Sequence, residues 1–460
     1  MIICPACGAD MHFSPSKQML LCDYCDNTVS PEQYEESEGL LTEDSTYYET
    51  TIFTCPQCGG EIMNAEETAA TFCSYCGASV QLLSRIGKEK KPSKIIPFTI
   101  DTDACKEIYN KRIKRAIFAP KFLRKNSEIN KFRGIYMPYW SYGFSVDQSM
   151  ETIGETSKRE GDYIITDHYK LAAHVKGSYD GISFDSASNF DDDISESISP
   201  FETGKAKRFN PAYMSGFYAD RGDVGSDVYA DKAEEYLKSD LVKRYEKIQE
   251  FDDLSVDTKI IEKNINAQEK KSSFVLYPVW FLTNHFGKDR VTYAVVNGQT
   301  GKVAADIPID PVKYVIISLI VALPIFMLLN LLPAIEPRGV IFYSMILHII
   351  CTIISFYQSV KISKRENHEE DKGYNSINGD VKDENKTTIK IKKYTYHVVI
   401  LIVGIILFNY THFSDLVYYG CCAGIMFCVA LTFIGIIGQH NILTTHKPPQ
   451  LAKRGGDENA

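Results

Sequence analysis

The segment Cys4-Pro-Ala-Cys7-Gly8, followed by Cys22-Asp-Tyr-Cys25, decides the fold at the start of this chain. It returns 51 residues later as Cys55-Pro-Gln-Cys58-Gly59 and Cys73-Ser-Tyr-Cys76. Both copies read C-x2-C-x14-C-x2-C. The spacer has the length of a hairpin that would bring the two Cys-x-x-Cys turns together.

Zinc is the metal that this spacing indicates, because Zn²⁺ prefers four thiolates in a tetrahedron and each turn presents two sulfurs. No basic and apolar leader precedes Cys4, so we expect a reducing cytosol, where such pairs bind metal more often than they form disulfides. Two disulfides per repeat, or free thiols, are the alternatives. We predict two structural Zn²⁺ ions, held by Cys4, Cys7, Cys22 and Cys25 and by Cys55, Cys58, Cys73 and Cys76.

These repeats resemble the TFIIB-type (transcription-factor-B-like) zinc ribbons and the zinc region of the primosomal helicase. More closely, the chain resembles uncharacterised bacterial membrane proteins with two such N-terminal ribbons. That wider resemblance rests on Tyr136-Met-Pro-Tyr-Trp140, Tyr277-Pro-Val-Trp280, Val296-Asn-Gly-Gln-Thr-Gly-Lys302 and the tail Lys453-Arg-Gly-Gly-Asp457. It implies no established activity.

A helicase or nucleic-acid role conflicts with two features of the sequence. A motor needs a G-x-x-x-x-G-K-[ST] phosphate loop, but Gly204-Lys205 is followed by Ala206 and Gly301-Lys302 by Val303. Residues 1–84 carry 13 Asp/Glu against one Lys, and two Cys4 zinc centres would add more negative charge. Since nucleic-acid affinity comes mainly from cations, we expect the ribbons to repel nucleic acid.

A basic segment follows the acidic head. Residues 85–133 hold 15 Lys/Arg against 5 Asp/Glu. They include a basic hinge, 85–92, and a helix expected from Asp101 to about Phe118 with cations at Lys111, Arg112, Lys114 and Arg115. These cations could contact acidic lipid headgroups, phosphates or the chain's own acidic ribbons, or form a solvated helix face.

Residues 93–310 read as an α+β domain. The pattern from Gly134 to Asp185 alternates as strands do, and 274–284, 290–296 and 302–306 predict an antiparallel meander. Residues 228–251 predict a charged helix, and the acids at 191–193 predict a helix start. The sequence contains no H-E-x-x-H, G-x-S-x-G or dinucleotide-binding signature, and we expect no enzyme.

The C-terminal part predicts four membrane helices, at 314–332, 340–360, 394–412 and 416–440, because each stretch is nearly free of charge at spanning length. The loop 361–393 holds nine Lys/Arg, which places it and both termini in the cytoplasm of a multi-pass plasma-membrane protein. His348, inside the second stretch, is a candidate polar contact or relay.

The predicted fold is therefore multidomain, with two small β zinc ribbons, an α+β domain with an antiparallel sheet and a four-helix membrane region. The expected boundaries are ribbon 1–30, acidic linker 31–53, ribbon 54–84, hinge 85–92, α+β domain 93–310, membrane helices 311–440 and tail 441–460. We expect a non-enzymatic protein-interaction adaptor that contacts membrane lipid and a protein partner, with no small-molecule substrate evident. The rival hypotheses are a transporter or channel subunit, and nucleic-acid binding through 85–133.

Overall fold

The computed structural model of this 460-residue chain describes residues 2–38, 46–64, 73–78, 83–247, 254–287, 289–329, 337–379, 395–409 and 415–448. Part of the second ribbon's spacer, residues 380–393 of the loop 361–393 and the tail at 453–457 lie outside those residues.

The first ribbon is a three-stranded antiparallel sheet. Its strands are β1 (Met11–Ser14), β2 (Met19–Cys22) and β3 (Thr28–Val29), in the order β1-β2-β3. β2 ends on the ligand Cys22, so strand pairing sets the distance between the two Cys-x-x-Cys turns. Met11, Phe13 and Leu20 face inward and join a core cluster shared with the larger domain.

A second sheet, of 12 strands among the described residues, forms the centre of the molecule. Its path runs β10-β7-β13-β8-β11-β5-β4-β6, with β9, β12, β14 and β15 attached beside it. The strands are β4 (Tyr47–Thr54), β5 (Glu61–Asn64), β6 (Leu83–Lys90), β7 (Lys94–Ile95), β8 (Arg133–Glu160), β9 (Tyr163–Asp185), β10 (Lys207–Arg208), β11 (Tyr218–Asp220), β12 (Ser255–Val256), β13 (Gln268–Phe286), β14 (Arg290–Asn297) and β15 (Val303–Ala305).

The middle of this sheet is buried on both faces. β13 is buried without interruption from Phe274 to Asn284. Its largely apolar sequence fits a strand that is covered on both faces. It pairs antiparallel with β8 and β14, and β14 pairs with β15, so the predicted meander is confirmed. β8 and β9 form one long hairpin that extends beyond the core to a turn at Gly161.

The second ribbon is continuous with this sheet. Its strand β5 pairs with both β4 and β11, and β4 pairs with β6. The segment 31–53, expected as an acidic linker, contains helix α1 (Pro31–Glu38) and most of β4. The described parts of both ribbons are thus held against the α+β domain. This placement depends on tertiary packing and not on the local sequence of the ribbons.

The helices begin close to the predicted positions. Asp101 caps α2 (Thr102–Lys114) by accepting a hydrogen bond from the Ala104 N–H. Asp191 caps α4 (Asp192–Ser197) by accepting from the Asp193 and Ile194 N–H groups, as expected for acids at a helix start. α2 ends at Lys114, four residues before the predicted Phe118. The remaining helices are α3 (Asn126–Ile129), α5 (Ala230–Glu246), α6 (Thr258–Asn264), α7 (Pro311–Leu329), α8 (Pro337–Glu366), α9 (Lys372–Asn378), α10 (Thr395–Asn409) and α11 (Asp415–Leu443), with α2 spanning Thr102–Lys114 and α4 Asp192–Ser197.

Two described helices are long and apolar enough to cross a membrane, Pro311–Leu328 in α7 and Gly339–Glu366 in α8. The apolar parts of α10 and α11 are shorter, His397–Asn409 and Phe427–Leu443. No residue from Pro311 to Leu328 is buried, and Leu319, Ile320 and Phe326 are mostly exposed. By length and composition, α7 and α8 are therefore candidate membrane helices, so that two of the four predicted membrane helices meet this criterion among the described residues.

Candidate metal centres

The first ribbon brings Cys4, Cys7, Cys22 and Cys25 into one group, with all four sulfurs within 4.8 Å of one another. The Cys4 and Cys25 sulfurs lie 3.7 Å apart, and those of Cys7 and Cys22 lie 3.5 Å apart. The second ribbon does the same with Cys55, Cys58, Cys73 and Cys76. There the Cys55–Cys76 distance is 3.8 Å and the Cys58–Cys73 distance is 3.7 Å.

These distances fit a tetrahedral zinc ion. With Zn–S bonds of ~2.3 Å, the sulfurs of a tetrahedron lie about 3.8 Å apart. A disulfide would instead place two sulfurs about 2.05 Å apart. Both groups are therefore compatible with one structural Zn²⁺ each, whose role would be to cross-link the two turns of a ribbon. Four thiolate ligands leave no position for a catalytic water.

All four Cys-x-x-Cys turns share one backbone conformation. In each, the first Cys donates its N–H to the carbonyl five residues on, and the residue four positions on donates back to that Cys. The residue that follows the second Cys has positive φ: Gly8 (77°), Asp26 (57°), Gly59 (74°) and Gly77 (72°). Gly8 and Gly59 therefore supply the left-handed backbone that the turn needs, and Asp26 occupies the equivalent position because Asp tolerates left-handed backbone better than most residues.

The thiols cannot all ionise in the absence of a cation. A hydrogen bond from Cys73 lowers the pKa of Cys55 to about 6. At Cys58 the Cys73 hydrogen bond also lowers the pKa, but the contact with Cys76 and burial outweigh it and the pKa rises to about 12. The group thus shares protons among close sulfurs, and a divalent cation would displace them on binding.

The two centres differ in exposure. Cys7 and Cys25 of the first are exposed, whereas all four cysteines of the second are buried. The second ribbon lies against β13 and β14, where Tyr293 Oη donates to the Tyr75 carbonyl at 3.1 Å and Thr283 Oγ1 donates to the Ser74 carbonyl. A Cβ at Gly77 would lie 3.1 Å from His285 Nε2, so glycine favours this close approach as well as the turn.

Equivalent tyrosines mark this difference. Tyr75, in the last turn of the second ribbon, is 3% exposed and lies near the Phe281 ring, 6.4 Å between centroids. Tyr24 occupies the same place in the first ribbon and is 84% exposed. The first ribbon is attached instead through its opposite side, where Phe13 N donates to the Ser215 carbonyl at 3.0 Å and the Phe13 and Tyr213 rings meet edge to face.

A buried histidine pair was missed by the sequence reasoning. His348, predicted as a candidate on its own, lies 3.1 Å from His397, measured from Nε2 to Nδ1. Both side chains are 2% exposed. The two residues are 49 positions apart, and His397 stands near the start of α10, so no local spacing links them. His168 and His174 do not form such a site, since each lies on the exposed hairpin beside a carboxylate of β8.

Comparison with known proteins gives one informative match. The chain is 27% identical over 313 residues to an uncharacterized protein of Bacillus subtilis (strain 168), YdjG, a match that covers 67% of this chain and 89% of that protein. No known family and no solved structure matches. The expected resemblance to uncharacterised proteins agrees with this relative, and the Cys4 geometry agrees with zinc-ribbon-like sites.

Proposed function

We propose that this chain is a membrane-anchored zinc-ribbon protein that acts as a non-enzymatic protein-interaction adaptor at the cytosolic membrane face. In this proposal the membrane region crosses the plasma membrane several times, with both termini cytoplasmic and a structural Zn²⁺ in each ribbon. The exposed apolar surface of α7 and the nine Lys/Arg of residues 361–393 support that placement.

The observation that carries the adaptor proposal is the difference between Tyr75 and Tyr24. The second ribbon docks its last turn on a sheet, and Tyr75 is buried in that contact. The first ribbon presents the same turn with Tyr24 exposed. Because aromatic side chains on rigid turns are the usual anchors of protein interfaces, Tyr24 is placed to dock on a partner as Tyr75 docks within the chain.

The surroundings of Tyr24 define the partner's chemistry. Asp10, Asp23 and Asp26 are exposed around this turn, and a zinc-loaded Cys4 centre would add negative charge. A complementary partner is a protein with an apolar recess and a cationic rim. Charge complementarity of this kind steers association and suppresses acidic partners such as nucleic acid.

The basic segment supports a position close to the membrane. Phe118, just beyond α2, accepts a hydrogen bond from the Asp310 N–H at 2.9 Å, and its ring lies 5.3 Å from that of Tyr314 at the start of α7. Lys313 donates to the Ala119 carbonyl. The cations at the end of α2 are thus held next to the first apolar helix, where acidic lipid headgroups would attract them.

Photo-crosslinking in native membranes tests the proposal. A photoreactive residue is placed at Tyr24 of the full-length chain and, in a control, at Tyr236 on α5, which is also exposed (64%). We expect one specific protein adduct from position 24 and none from 236, with the adduct lost when Asp23 and Asp26 are changed to Lys. Equal labelling at both positions, or an adduct that survives the charge reversal, would overturn the adaptor proposal.

A transporter or channel subunit is the second candidate, and a polar seam within the apolar helices favours it. His348, Thr352 and Ser355 lie on one face of α8 at helical spacing, and they contact His397 of α10 and Gln439 of α11. Intramembrane polar residues often mark transport paths. A fragment of residues 1–310 that still binds the partner would support the adaptor, and complete loss would favour the membrane candidate.

A further inference from the structure

A cavity of about 340 Å³ lies between the α4 end of the α+β domain and the C-terminal end of α8. Its volume falls within the ~300–1,000 Å³ typical of small-molecule sites. The two sides are tied together where Lys372 N donates to Asp192 Oδ2 at 3.2 Å. No described residue of the zinc centres lines this cavity, so it is a separate site.

One wall of the cavity belongs to the end of α8 and presents three cations, Lys361, Lys364 and Arg365. His368, Glu370 and Asp371, just beyond α8, line the cavity as well. Lys364 Nζ pairs with Glu370 at 2.7 Å, and Arg365 donates hydrogen bonds to backbone carbonyls at the end of α11. Lys361 is exposed and has no ion pair within 4.0 Å among the described residues. This wall can therefore offer at least one uncommitted ammonium to a phosphate.

The opposite wall is anionic and belongs to the start of α4. Asp191, Asp192 and Asp193 line it. Asp193 is exposed and has no ion pair among the residues that the structure describes. Burial raises the pKa of Asp191, and burial followed by the nearby Asp371 raises that of Asp192 to about 7. A cation within this wall would favour the ionised carboxylates.

An apolar stripe on α8 leads to the cationic wall. Ile346, Ile350, Ile353 and Tyr357 follow one another at intervals of four, three and four residues, and all are exposed. The same face continues to Lys361 and Lys364. Because α8 is long and apolar enough to cross a membrane, this stripe faces lipid and the cavity opens at the membrane–water boundary.

We propose that this cavity binds the headgroup of an ethanolamine phospholipid, with the phosphate at Lys361 and Lys364, the ammonium at Asp191 and Asp193, and an acyl chain along the α8 stripe. A phosphate and an ammonium on one small headgroup match the two walls in sign and order. A glycerol headgroup lacks the cation for the acidic wall, and a choline headgroup lacks N–H donors for the carboxylates. This site is independent of the adaptor proposal, although it requires α8 to lie in the membrane.

Native mass spectrometry of the full-length protein, with the mild detergent removed in the gas phase, tests this site. The protein is supplied with equal amounts of ethanolamine, glycerol and choline phospholipids that carry identical acyl chains. We expect one tightly held ethanolamine lipid per chain, preferred about tenfold or more over each competitor. Equal retention of the three lipids, or preference for the glycerol lipid, would overturn the proposal.

Variants assign the preference to the two walls. Lys361→Gln combined with Lys364→Gln should remove the tightly held lipid, whereas Asp193→Asn should keep phospholipid binding and abolish the preference for ethanolamine. Lys243→Gln, an exposed cation on α5, is the matched control and should change nothing. Unaltered retention in the Lys361/Lys364 double variant would contradict the site, provided that zinc content and melting temperature match those of the parent protein.

Soluble competitors separate a lipid from a free phosphate compound. Inorganic phosphate and phosphoethanolamine are each added to the lipid-loaded protein. We expect phosphoethanolamine to displace the lipid only at large excess, because it lacks the acyl chain that the stripe binds. Displacement by inorganic phosphate at equal concentration, or equal affinity for phosphoethanolamine and the whole lipid, would show that the ligand is a soluble phosphate and not a membrane lipid.

Discussion

Arg290 Nη2 lies 2.8 Å from Glu366 Oε1, and this ion pair joins the start of β14 to the end of α8. The Glu366 side chain is only 7% exposed and also pairs with Lys447. Arg290 in addition donates to the Ile442 carbonyl at the end of α11. The sheet domain, α8 and α11 are therefore connected through the Arg290 guanidinium.

Arg290→Ala should destabilise this junction by about 2–4 kcal/mol, since it removes hydrogen bonds to a charged group and leaves a buried carboxylate with one partner fewer. The measurement is hydrogen exchange of residues 442–448 in the full-length protein, which should speed up selectively. Lys158→Ala, which breaks the exposed pair with Glu160 on the hairpin, is the control and should cost less than about 1 kcal/mol. Unchanged exchange at 442–448 would mean that Arg290 does not hold the junction.

The two zinc centres should release metal at different rates. Cys7 and Cys25 are exposed, whereas the second centre is enclosed between its ribbon and β13 and β14. A chelator added to the native protein should remove one zinc quickly and a second one only slowly. Cys25→Ser should abolish the fast phase alone. Release of both ions in one phase, or purified protein without zinc and with paired disulfides, would contradict the assignment.

Tyr75→Ser should destabilise the protein by about 3–4 kcal/mol, because it empties a buried aromatic site at the docking contact of the second ribbon. Tyr24→Ser, the matched change in the first ribbon, should leave stability within about 0.5 kcal/mol, since that side chain is 84% exposed. Denaturant unfolding of the two variants compares them directly. Similar losses of stability would show that Tyr24 is packed in solution and is not a free surface.

The geometry of the ligands could be predicted from sequence, but the docking of the ribbons could not. Cys-x-x-Cys spacing sets a turn locally, and the 14-residue spacer returns the chain, so the grouping of the ligands follows without tertiary information. Tyr24 and Tyr75 have the same local sequence context, yet one is exposed and the other buried. Their difference depends on β13 and β14, more than 200 residues away.

The strand order and the contacts between the apolar helices show the same limit. The alternation of apolar and polar residues predicted strands in the 93–310 region, because the two faces of a half-buried strand differ in polarity. It could not predict that β4 and β5 join the same sheet, since that pairing is made with β11 at residues 218–220. The contacts of His397 and Gln439 were missed for a related reason. Each residue lies near the end of an apolar helix, where a polar side chain is ordinary, and only the structure shows its partner on α8.

Asp192 should make stability depend on pH near neutrality. Burial and the neighbouring Asp371 raise its pKa to about 7 in the folded protein, against ~3.9 in the unfolded chain. Burial and, as the second cause, the charge of Asp192 also raise the pKa of Asp185. A raised folded pKa gives stability that is full below the unfolded value and is lost as pH rises through the folded value. The contribution of Asp192 to stability should therefore fall by about 1 kcal/mol per pH unit between about pH 4 and pH 7, and should level off above pH 7.

Asp192→Asn tests this pH dependence, because the amide cannot ionise but can still accept the hydrogen bond from Tyr229. Melting temperatures between pH 6 and pH 8 should fall less steeply in this variant than in the parent. Asp193→Asn, the exposed neighbour, should keep the parent's profile. The assignment to Asp192 would be wrong if both variants retained the full slope.

His348 and His397 should be coupled energetically. The Thr352 hydroxyl donates its proton to the His348 carbonyl at 2.8 Å. The same hydroxyl oxygen lies 3.1 Å from His397 Nδ1, from which it can accept a hydrogen bond. His397 Nδ1 also lies 3.1 Å from His348 Nε2, so one of these two ring nitrogens can donate a hydrogen bond to the other. His348 Nδ1 is buried and has no hydrogen-bond partner among the described residues.

A double-mutant cycle measures this coupling in the full-length protein. His348→Leu and His397→Leu should each destabilise the helix packing, and the double variant should lose less than the sum of the two. Interhelical hydrogen bonds in membranes contribute roughly 0.6 kcal/mol and at most about 1.7 kcal/mol, and the deficit should fall in that range. His440→Leu on α11 is the control and should add independently to His397→Leu. Full additivity of His348→Leu and His397→Leu would show that the two rings do not share a hydrogen bond.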